Sequence, residues 1–272
     1  MTDHIKTAII ISASSDIGAA MCCRWLKAGW KIFGTYRTYS EKVVELKEQG
    51  VNMYPCNLEN NHSVKDYIDE LIKSNVCWDT LVLSAGSIEP VGPFEERDFQ
   101  SWEKSIRVNF TGQLHVVHEL LPLRNRHNKL GACVLFFAGG STNNAVVNYS
   151  AYTISKIALI KMCELLDAEI EDARFVIIGP GWVNTKIHKA TIDAGEKFAG
   201  ENYLKTKKIL SEGNFTSIEK VLDSCDWVIS QPKEIISGRN FSTVYDKWGT
   251  KDLVDALQAN TNMYKLRRYG NN

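Results

Sequence analysis

Tyr152 and Lys156 are the residues of this chain whose types and spacing most directly indicate chemistry. Side chains four positions apart lie on one face of a helix, so the phenol and the ammonium can reach the same site. A neighbouring ammonium favours the phenolate and lowers the pKa of the tyrosine, which can then act as a general acid or base near neutral pH. The pair opens a helical segment that follows a Gly/Ser/Asn loop, and this placement distinguishes it from a chance surface pair.

A turn of small and polar residues, SASSDIG at residues 12–18, follows the first apolar run. Between a strand and a helix, such a turn directs backbone N–H groups and the helix N-terminus at a phosphate. Only Gly18 remains of the three glycines that a dinucleotide-binding turn would offer. An ordinary strand–helix turn is therefore the competing interpretation.

Arg37 ends the second apolar run, and no acidic residue accompanies it. An acid at this place accepts hydrogen bonds from the ribose 2′-hydroxyl of NAD, whereas an arginine suits the 2′-phosphate of NADP. The sequence therefore favours NADP(H) over NAD(H) as cofactor, with a plain surface arginine as the alternative.

Apolar runs typical of buried strands alternate with segments of helical periodicity along the chain. The predicted strands are residues 8–11, 31–35, 51–54, 80–84, 133–137, 174–178 and 240–245. The predicted helices are residues 17–28, 41–49, 63–73 (with Ser63 as N-cap), 99–120, 152–170 and 218–229. This alternation predicts an α/β fold with a doubly wound parallel sheet of Rossmann type in a single domain.

The predicted Rossmann-type domain covers residues 1–248, and residues 249–272 form a C-terminal extension. Residues 186–214 are polar and weakly periodic, and they follow a strand end, where open α/β sheets bind ligands. We therefore predict a substrate lid over residues 186–225. A surface insertion without a function is the alternative.

Charge and cysteine content exclude several classes of protein. The 32 basic and 32 acidic residues give a net charge of zero, without the long-range field on which most nucleic-acid-binding proteins depend. Seven scattered cysteines without a CxxC pair indicate reduced thiols rather than a disulfide framework or a zinc site. The first apolar run is too short for a signal peptide or a membrane span. We expect a cytoplasmic protein with a small-molecule substrate and with no metal, nucleic acid or membrane partner.

Six motifs resemble, in the same order, those of the short-chain dehydrogenase/reductase family, and the resemblance runs from about residue 6 to residue 245. They are the turn at 12–18 (similar to TGxxxGIG), Asn57-Leu58 (similar to the adenine-contacting Asp-Val/Leu pair), LVLSAG at 81–86 (similar to the NNAG strand end), Val108-Asn109 (the helix asparagine), Tyr152 with Lys156 (the active-site pair) and PGWVNT at 180–185 (the PGxVxT segment).

The resemblance implies a role for each matching residue. Tyr152 would exchange a proton with the carbonyl or alcohol oxygen, and Lys156 would hold the ribose hydroxyls and lower the pKa of Tyr152. Asn109 would anchor a water in the proton relay, and Val183 and Thr185 would bind the nicotinamide carboxamide. The cofactor-binding residues so implied are Ser12, Ser14, Ser15, Asp16, Ile17, Gly18, Arg37, Asn57, Leu58, Ala85, Gly86, Tyr152, Lys156, Pro180, Gly181, Val183 and Thr185.

The chain departs from the family pattern at the active-site serine, thirteen residues before the tyrosine. Gly139 stands there, with Ala138 in the neighbouring register, so Ser141 is the candidate substitute for the catalytic hydroxyl. Ser12 and Asp16 replace glycines, and a carboxylate at position 16 would repel a pyrophosphate unless it is paired or turned away. These departures leave a non-catalytic or weakly active NADP-binding sensor or complex subunit as the alternative to an oxidoreductase.

Two further expectations concern the substrate and the assembly. Residues 237–248 resemble reductases of bacterial surface-sugar synthesis, and the predicted lid holds few large apolar residues, so we expect a sugar or nucleotide-sugar substrate. The apolar stretch at residues 157–166 lacks a polar face, which predicts either a core helix or a contact with a second subunit. In this family the equivalent helix often pairs with another subunit, so we expect a homodimer or homotetramer.

Overall fold

The computed structural model describes residues 5–140 and 144–268, which contain one seven-stranded β-sheet. Its strands are β1 (Thr7–Ile11), β2 (Lys31–Tyr36), β3 (Asn52–Pro55), β4 (Thr80–Leu83), β5 (Ala132–Phe137), β6 (Ala173–Gly179) and β7 (Arg239–Ser242). They pair in the order β3-β2-β1-β4-β5-β6-β7, and all pairs are parallel. The predicted doubly wound, single-domain α/β fold is confirmed.

Burial on both faces explains why the central strands are continuous apolar runs. Every residue of β1, β4 and β5 is buried. Because successive side chains point to opposite faces of a strand, Ile10 packs in one apolar cluster, and Ile9 and Ile11 pack in the other. The strand order reverses between β1 and β4, and such a reversal opens a crevice at the carboxyl ends of the strands.

The helices account for most of the remaining chain. They are α1 (Asp16–Lys27), α2 (Glu41–Glu48), α3 (Asn61–Lys73), α4 (Phe99–Ile106), α5 (Gly112–Leu120), α6 (Ser150–Glu169), α7 (Lys189–Ala199), α8 (Glu201–Glu212), α9 (Ile218–Ser230), α10 (Lys233–Ile236) and α11 (Lys251–Ala259). Helix α3 begins earlier than predicted, because Asn60 and not Ser63 is its N-cap and accepts the N–H groups of His62 and Ser63. The Ser63 hydroxyl instead accepts the N–H of Asn57.

A turn of π-helix, Arg107–Thr111, interrupts the predicted helix over residues 99–120 and separates α4 from α5. Gly112 follows at a close approach of two backbones, since a Cβ there would lie 2.7 Å from the carbonyl oxygen of Leu58. Such π-helical turns are frequent at functional sites. This turn carries Asn109.

The predicted lid, residues 186–225, is mainly helical. It contains α7, α8 and the first half of α9. Gly195 and Gly200, with φ of 68° and 57°, break the helical run. The last strand is shorter than predicted and ends at Ser242. The Ser242 N–H donates to the Asp246 carboxylate, and the Ser242 hydroxyl accepts the N–H of Val244. These two bonds turn the chain away from the sheet.

Residues beyond 248 pack against the edge of the sheet. The Arg239 side chain, only 3% exposed, donates to the carbonyl oxygens of Leu257, Asn260 and Met263. These bonds join α11 and the turn after it to β7. Among the described helices, none combines the length and the apolar character needed to cross a membrane.

Candidate active site

A cleft of about 1440 Å³ runs along the carboxyl ends of the strands. Residues at or just after the end of each of the seven strands border it, as expected for an open α/β sheet. The predicted site residues that line it are Ser12, Ser14, Ser15, Asp16, Ile17, Arg37, Asn57, Leu58, Ala85, Gly86, Tyr152, Lys156, Pro180, Gly181, Val183 and Thr185. Gly18 and Asn109 do not belong to this lining. Ser141 lies outside the described residues.

The turn between β1 and α1 is tight, with the Ser15 N–H donating to the Ser12 carbonyl oxygen at 3.0 Å, although a serine replaces its first glycine. Ser12 adopts φ of 64°, in the left-handed region that glycine takes up more readily. The Ser15 hydroxyl caps α1 by accepting the N–H of Gly18 at 3.1 Å. A Cβ on Gly18 would lie 2.6 Å from the carbonyl oxygen of Ser12, so only glycine fits there. The N-terminus of α1 thus faces the cleft in a form that can hold a phosphate.

Asp16, whose carboxylate was expected to disturb a bound phosphate, is paired. Its Oδ2 accepts a hydrogen bond of 2.9 Å from the backbone N–H of Lys186, just beyond β6. The bond connects the α1 turn with the first residue of the predicted lid. Asp16 also lies in the first turn of α1, where the helix dipole stabilises a negative charge. The carboxylate therefore holds two sides of the cleft together, but its charge remains beside the phosphate-binding turn.

Tyr152 and Lys156 both project from the first turns of α6 into the cleft. The Lys156 Nζ donates to the carbonyl oxygen of Phe137 at 2.9 Å and lies 5.7 Å from the centre of the Tyr152 ring. Burial raises the pKa of Tyr152 to about 12 and lowers the pKa of Lys156 to about 8. The expected lowering of the tyrosine pKa is therefore wrong for this structure, because the burial of the phenol disfavours the phenolate and outweighs the nearby ammonium. At neutral pH the phenol keeps its proton and the lysine keeps its charge.

Gly139, at the place of the missing serine, lies against the Tyr152 ring. A Cβ on Gly139 would lie 2.7 Å from both the Tyr152 hydroxyl oxygen and Cε1, closer than carbon atoms pack. The glycine is thus required by the position of the phenol. A Cβ on Gly140, in contrast, would meet no atom of the described residues within 4 Å.

Asn109 attaches the segment after β4 to the π-helical turn. Its Nδ2 donates to the carbonyl oxygens of Ser87 at 2.7 Å and of Ser105 at 3.0 Å, and its Oδ1 accepts the Ser87 N–H at 2.9 Å. These contacts position the strand end that borders the cleft. The relay water implied for Asn109 stays a prediction.

Gln113 is a fully buried polar residue that no motif singles out. Its Nε2 lies 3.1–3.2 Å from the carbonyl oxygens of Ala85, Val108 and Asn109, so it connects the end of β4 with the π-helical turn. Its Oε1 has no partner among the described residues, and a buried water is expected there. The sequence signal is limited to a polar residue on an otherwise apolar helix face.

An aromatic stack anchors the start of the lid, and no motif predicts it. Trp182 stacks on the His188 imidazole, with ring centroids 3.6 Å apart, and on Phe215, with centroids 5.6 Å apart. A ring nitrogen of His188 lies 2.9 Å from the carbonyl oxygen of Val183, and burial lowers the pKa of His188. At neutral pH the imidazole is therefore uncharged and donates this hydrogen bond. The only signal in the sequence is the tryptophan within PGWVNT.

Comparison with protein families matches residues 6–195 to the short chain dehydrogenase model. The chain belongs to the short-chain dehydrogenase family. The resemblance inferred from the six motifs is thereby confirmed, and the expectation of an oxidoreductase of this type is confirmed at the level of the family.

Relatives of this short-chain dehydrogenase are named reductases and dehydrogenases. The 3-ketodihydrosphingosine reductase of Dictyostelium discoideum is 29% identical over 123 residues, which span 44% of this chain but only 36% of that protein. The 3-oxoacyl-acyl-carrier-protein reductase FabG of Buchnera aphidicola is 25% identical over 246 residues, which span 88% of this chain and 95% of the relative. Among solved structures, the KRED1-Pglu enzyme superposes with a TM-score of 0.77 at 23% identity, covering 86% of this chain and 99% of that one. This last similarity supports the fold.

Removing the charge of Asp16 should strengthen the binding of NADPH. Asp16→Asn keeps an acceptor for the Lys186 N–H but removes a negative charge beside the α1 turn. Repulsion between charges several ångströms apart near a protein surface amounts to about 1–2 kcal/mol, so we expect an approximately tenfold lower dissociation constant, measured by fluorescence of the reduced nicotinamide. Asp193→Asn, which removes a lid carboxylate outside the cleft lining, is the matched control and should change nothing. Unchanged or weaker binding by Asp16→Asn would show that the carboxylate does not oppose the cofactor.

Enlarging Gly139 should impair turnover, because the added methyl group displaces the Tyr152 phenol. For Gly139→Ala we expect a loss of about 10² in carbonyl reduction, since a shift of about 1 Å in a reacting group has that effect. Gly140→Ala adds the same methyl group in open space and should retain activity. Equal turnover by the two variants, measured beside their thermal unfolding, would contradict a role for the Gly139–Tyr152 contact.

Proposed function

We propose that this short-chain dehydrogenase is an NADP(H)-dependent oxidoreductase that interconverts a carbonyl and an alcohol, with Tyr152 as general acid and base. The observation that carries the proposal is the position of the partly buried Tyr152 phenol at the cleft, with the Lys156 Nζ 5.7 Å from the centre of its ring. The raised pKa keeps the phenol protonated and able to give its proton to a carbonyl oxygen. The nearby ammonium stabilises the phenolate that results. A bound nicotinamide supplies or accepts the hydride.

Arg37 supports NADP(H) as the cofactor. It follows β2, lines the cleft, and has no carboxylate in ion-pair contact among the described residues. Its flanking residues Tyr36 and Thr38 are not acidic. A guanidinium at this strand end suits a 2′-phosphate, whereas no carboxylate stands beside it at positions 36–38 to accept the hydroxyl groups of the NAD ribose.

The residues around the cleft fit a dinucleotide. The N-terminus of α1, capped by Ser15 and packed closely against Ser12 through Gly18, would hold the pyrophosphate. Asn57 would contact the adenine, and Val183 and Thr185 would contact the carboxamide, since all three line the same cleft.

For the substrate we propose a sugar or nucleotide-sugar. Asn202, Lys205 and Asn214 of the lid region line the cleft and supply the polar groups that a hydroxyl-rich ligand requires.

We further propose a homodimer or homotetramer in the cytoplasm. Ile154 and Leu165 expose apolar surface on α6, which suits a contact with a second copy. The seven cysteines are free thiols, which is typical of a reducing compartment.

Titration with NADPH and NADH, followed by nicotinamide fluorescence, tests the cofactor assignment. We expect tighter binding of NADPH, and for Arg37→Ala a loss of about 10–100-fold in NADPH affinity with NADH binding unchanged, because a charge-assisted contact is removed. Arg126→Ala, whose guanidinium pairs with Asp172 outside the cleft lining, is the control. An unchanged NADPH-to-NADH ratio in Arg37→Ala would refute the assignment. Tight NADPH binding without reduction of any keto-sugar or simple ketone would favour the non-catalytic alternative.

A further inference from the structure

Tyr149 lies at the start of α6, close to Tyr152 along the chain. It is the N-cap residue, with φ of −131° and ψ of 34°, and it precedes the helix that carries Tyr152 and Lys156. All three side chains line the cleft. Tyr149 is 7% exposed and packs in the same apolar cluster as Tyr152. A second phenol therefore lies beside the proposed catalytic pair.

The Tyr149 hydroxyl is hydrogen-bonded to the hydroxyl of Thr191 on α7, at 2.9 Å between the oxygens. Thr191 is 3% exposed and also lines the cleft. Each hydroxyl has one proton, and the bond between them uses only one of the two. The hydroxyl that accepts this bond still has a proton to donate, and the described residues provide no further acceptor for it. A buried donor of this kind requires a partner, and the cleft is the space that both residues border.

The loop after β5 supplies no hydroxyl at the place where the family has its serine. Gly139 stands there, and the space a side chain would need is taken by the Tyr152 ring. A substrate oxygen bonded to Tyr152 therefore receives no side-chain hydroxyl from position 139. The Tyr149–Thr191 pair faces the same cleft from the lid side, where Ile187 and Ala190 of the same segment pack in the cluster that contains Tyr152.

We propose that the Tyr149–Thr191 hydroxyl pair donates a hydrogen bond to the substrate oxygen and so replaces the missing serine. Because this assignment rests on the proposed function, the reaction is the reduction of a carbonyl: hydride adds to the carbonyl carbon, and the proton on the oxygen comes from Tyr152. The hydroxyl pair loses no proton and stabilises the charge that develops on the oxygen. Since Thr191 belongs to α7, the donor is complete only when this helix is packed against α6.

Steady-state kinetics of Tyr149→Phe, Thr191→Val and the double variant test the proposal, with NADPH in excess and 2,3-butanedione as the probe ketone. Loss of one hydrogen-bond donor to a developing oxyanion costs about 10²–10³ in kcat, so we expect a fall of this order for Tyr149→Phe with a change in KM below about threefold. The double variant should be little worse than the worse single variant, because the two hydroxyls act as one unit. Thr191→Ser keeps the hydroxyl and should restore most of the activity lost in Thr191→Val. The pKa in the kcat–pH profile should not move, because Tyr152 is retained.

Tyr203→Phe is the matched control, since Tyr203 packs in the same cluster but is absent from the cleft lining. It should retain wild-type kcat. If Tyr149→Phe keeps full kcat while Ser141→Ala loses it, the loop serine is the donor and the proposal is overturned. If the variants that lose kcat also bind NADPH more weakly and unfold at a lower temperature, the proposal is overturned as well, because the pair would then have a structural role. A wild-type protein that binds NADPH but does not reduce the ketone or any keto-sugar would overturn the proposed function itself, and the assignment with it.

Discussion

The contact between α6 and the carboxyl end of β5 determines the arrangement of the candidate site. Lys156 donates to the carbonyl oxygen of Phe137, the last residue of that strand, and two residues later Gly139 lies against the Tyr152 phenol. One strand end therefore positions both functional groups of the helix. The missing serine and the position of the phenol follow from the same steric constraint, because a side chain at position 139 would require Tyr152 to move.

Burial sets the protonation states of these two groups. The pKa of Tyr152 rises to about 12 and that of Lys156 falls to about 8, so both groups are protonated at neutral pH. The site thus holds a transferable proton next to a positive charge. The same cleft contains Arg37 at one strand end and Asp16 at another, and the bond from Asp16 to the Lys186 N–H turns this carboxylate toward the lid. The Arg37 guanidinium thus favours an anionic dinucleotide, while the Asp16 charge beside the α1 turn opposes it.

The parts of the molecule that depend on local patterns could be predicted from the sequence. Continuous apolar runs predicted the strands buried on both faces, and the spacing of Tyr152 and Lys156 placed them together on one helix. Helix caps and helix irregularities were harder to predict from the sequence. Both Asn60 and Ser63 are residue types that cap helices, and only the structure identifies Asn60 as the N-cap of α3. The π-helical turn at Asn109 leaves no periodic signal in the sequence. Contacts between distant segments could not be predicted, because they depend on how lid and sheet pack. The bonds from Asp16 to Lys186 and from Tyr149 to Thr191 are of this kind, as is the contact of Gly139 with Tyr152.

Transfer of the C4 deuterium of labelled NADPH into the product of 2,3-butanedione or a keto-sugar, followed by mass spectrometry, tests most directly whether this cleft performs carbonyl reduction. We predict one deuterium on the former carbonyl carbon with the wild-type protein and a strongly reduced amount with Tyr152→Phe. If NADPH binds tightly but no deuterium enters any product, or if Tyr152→Phe transfers it as fast as the wild type, the chemistry assigned to Tyr152 is contradicted.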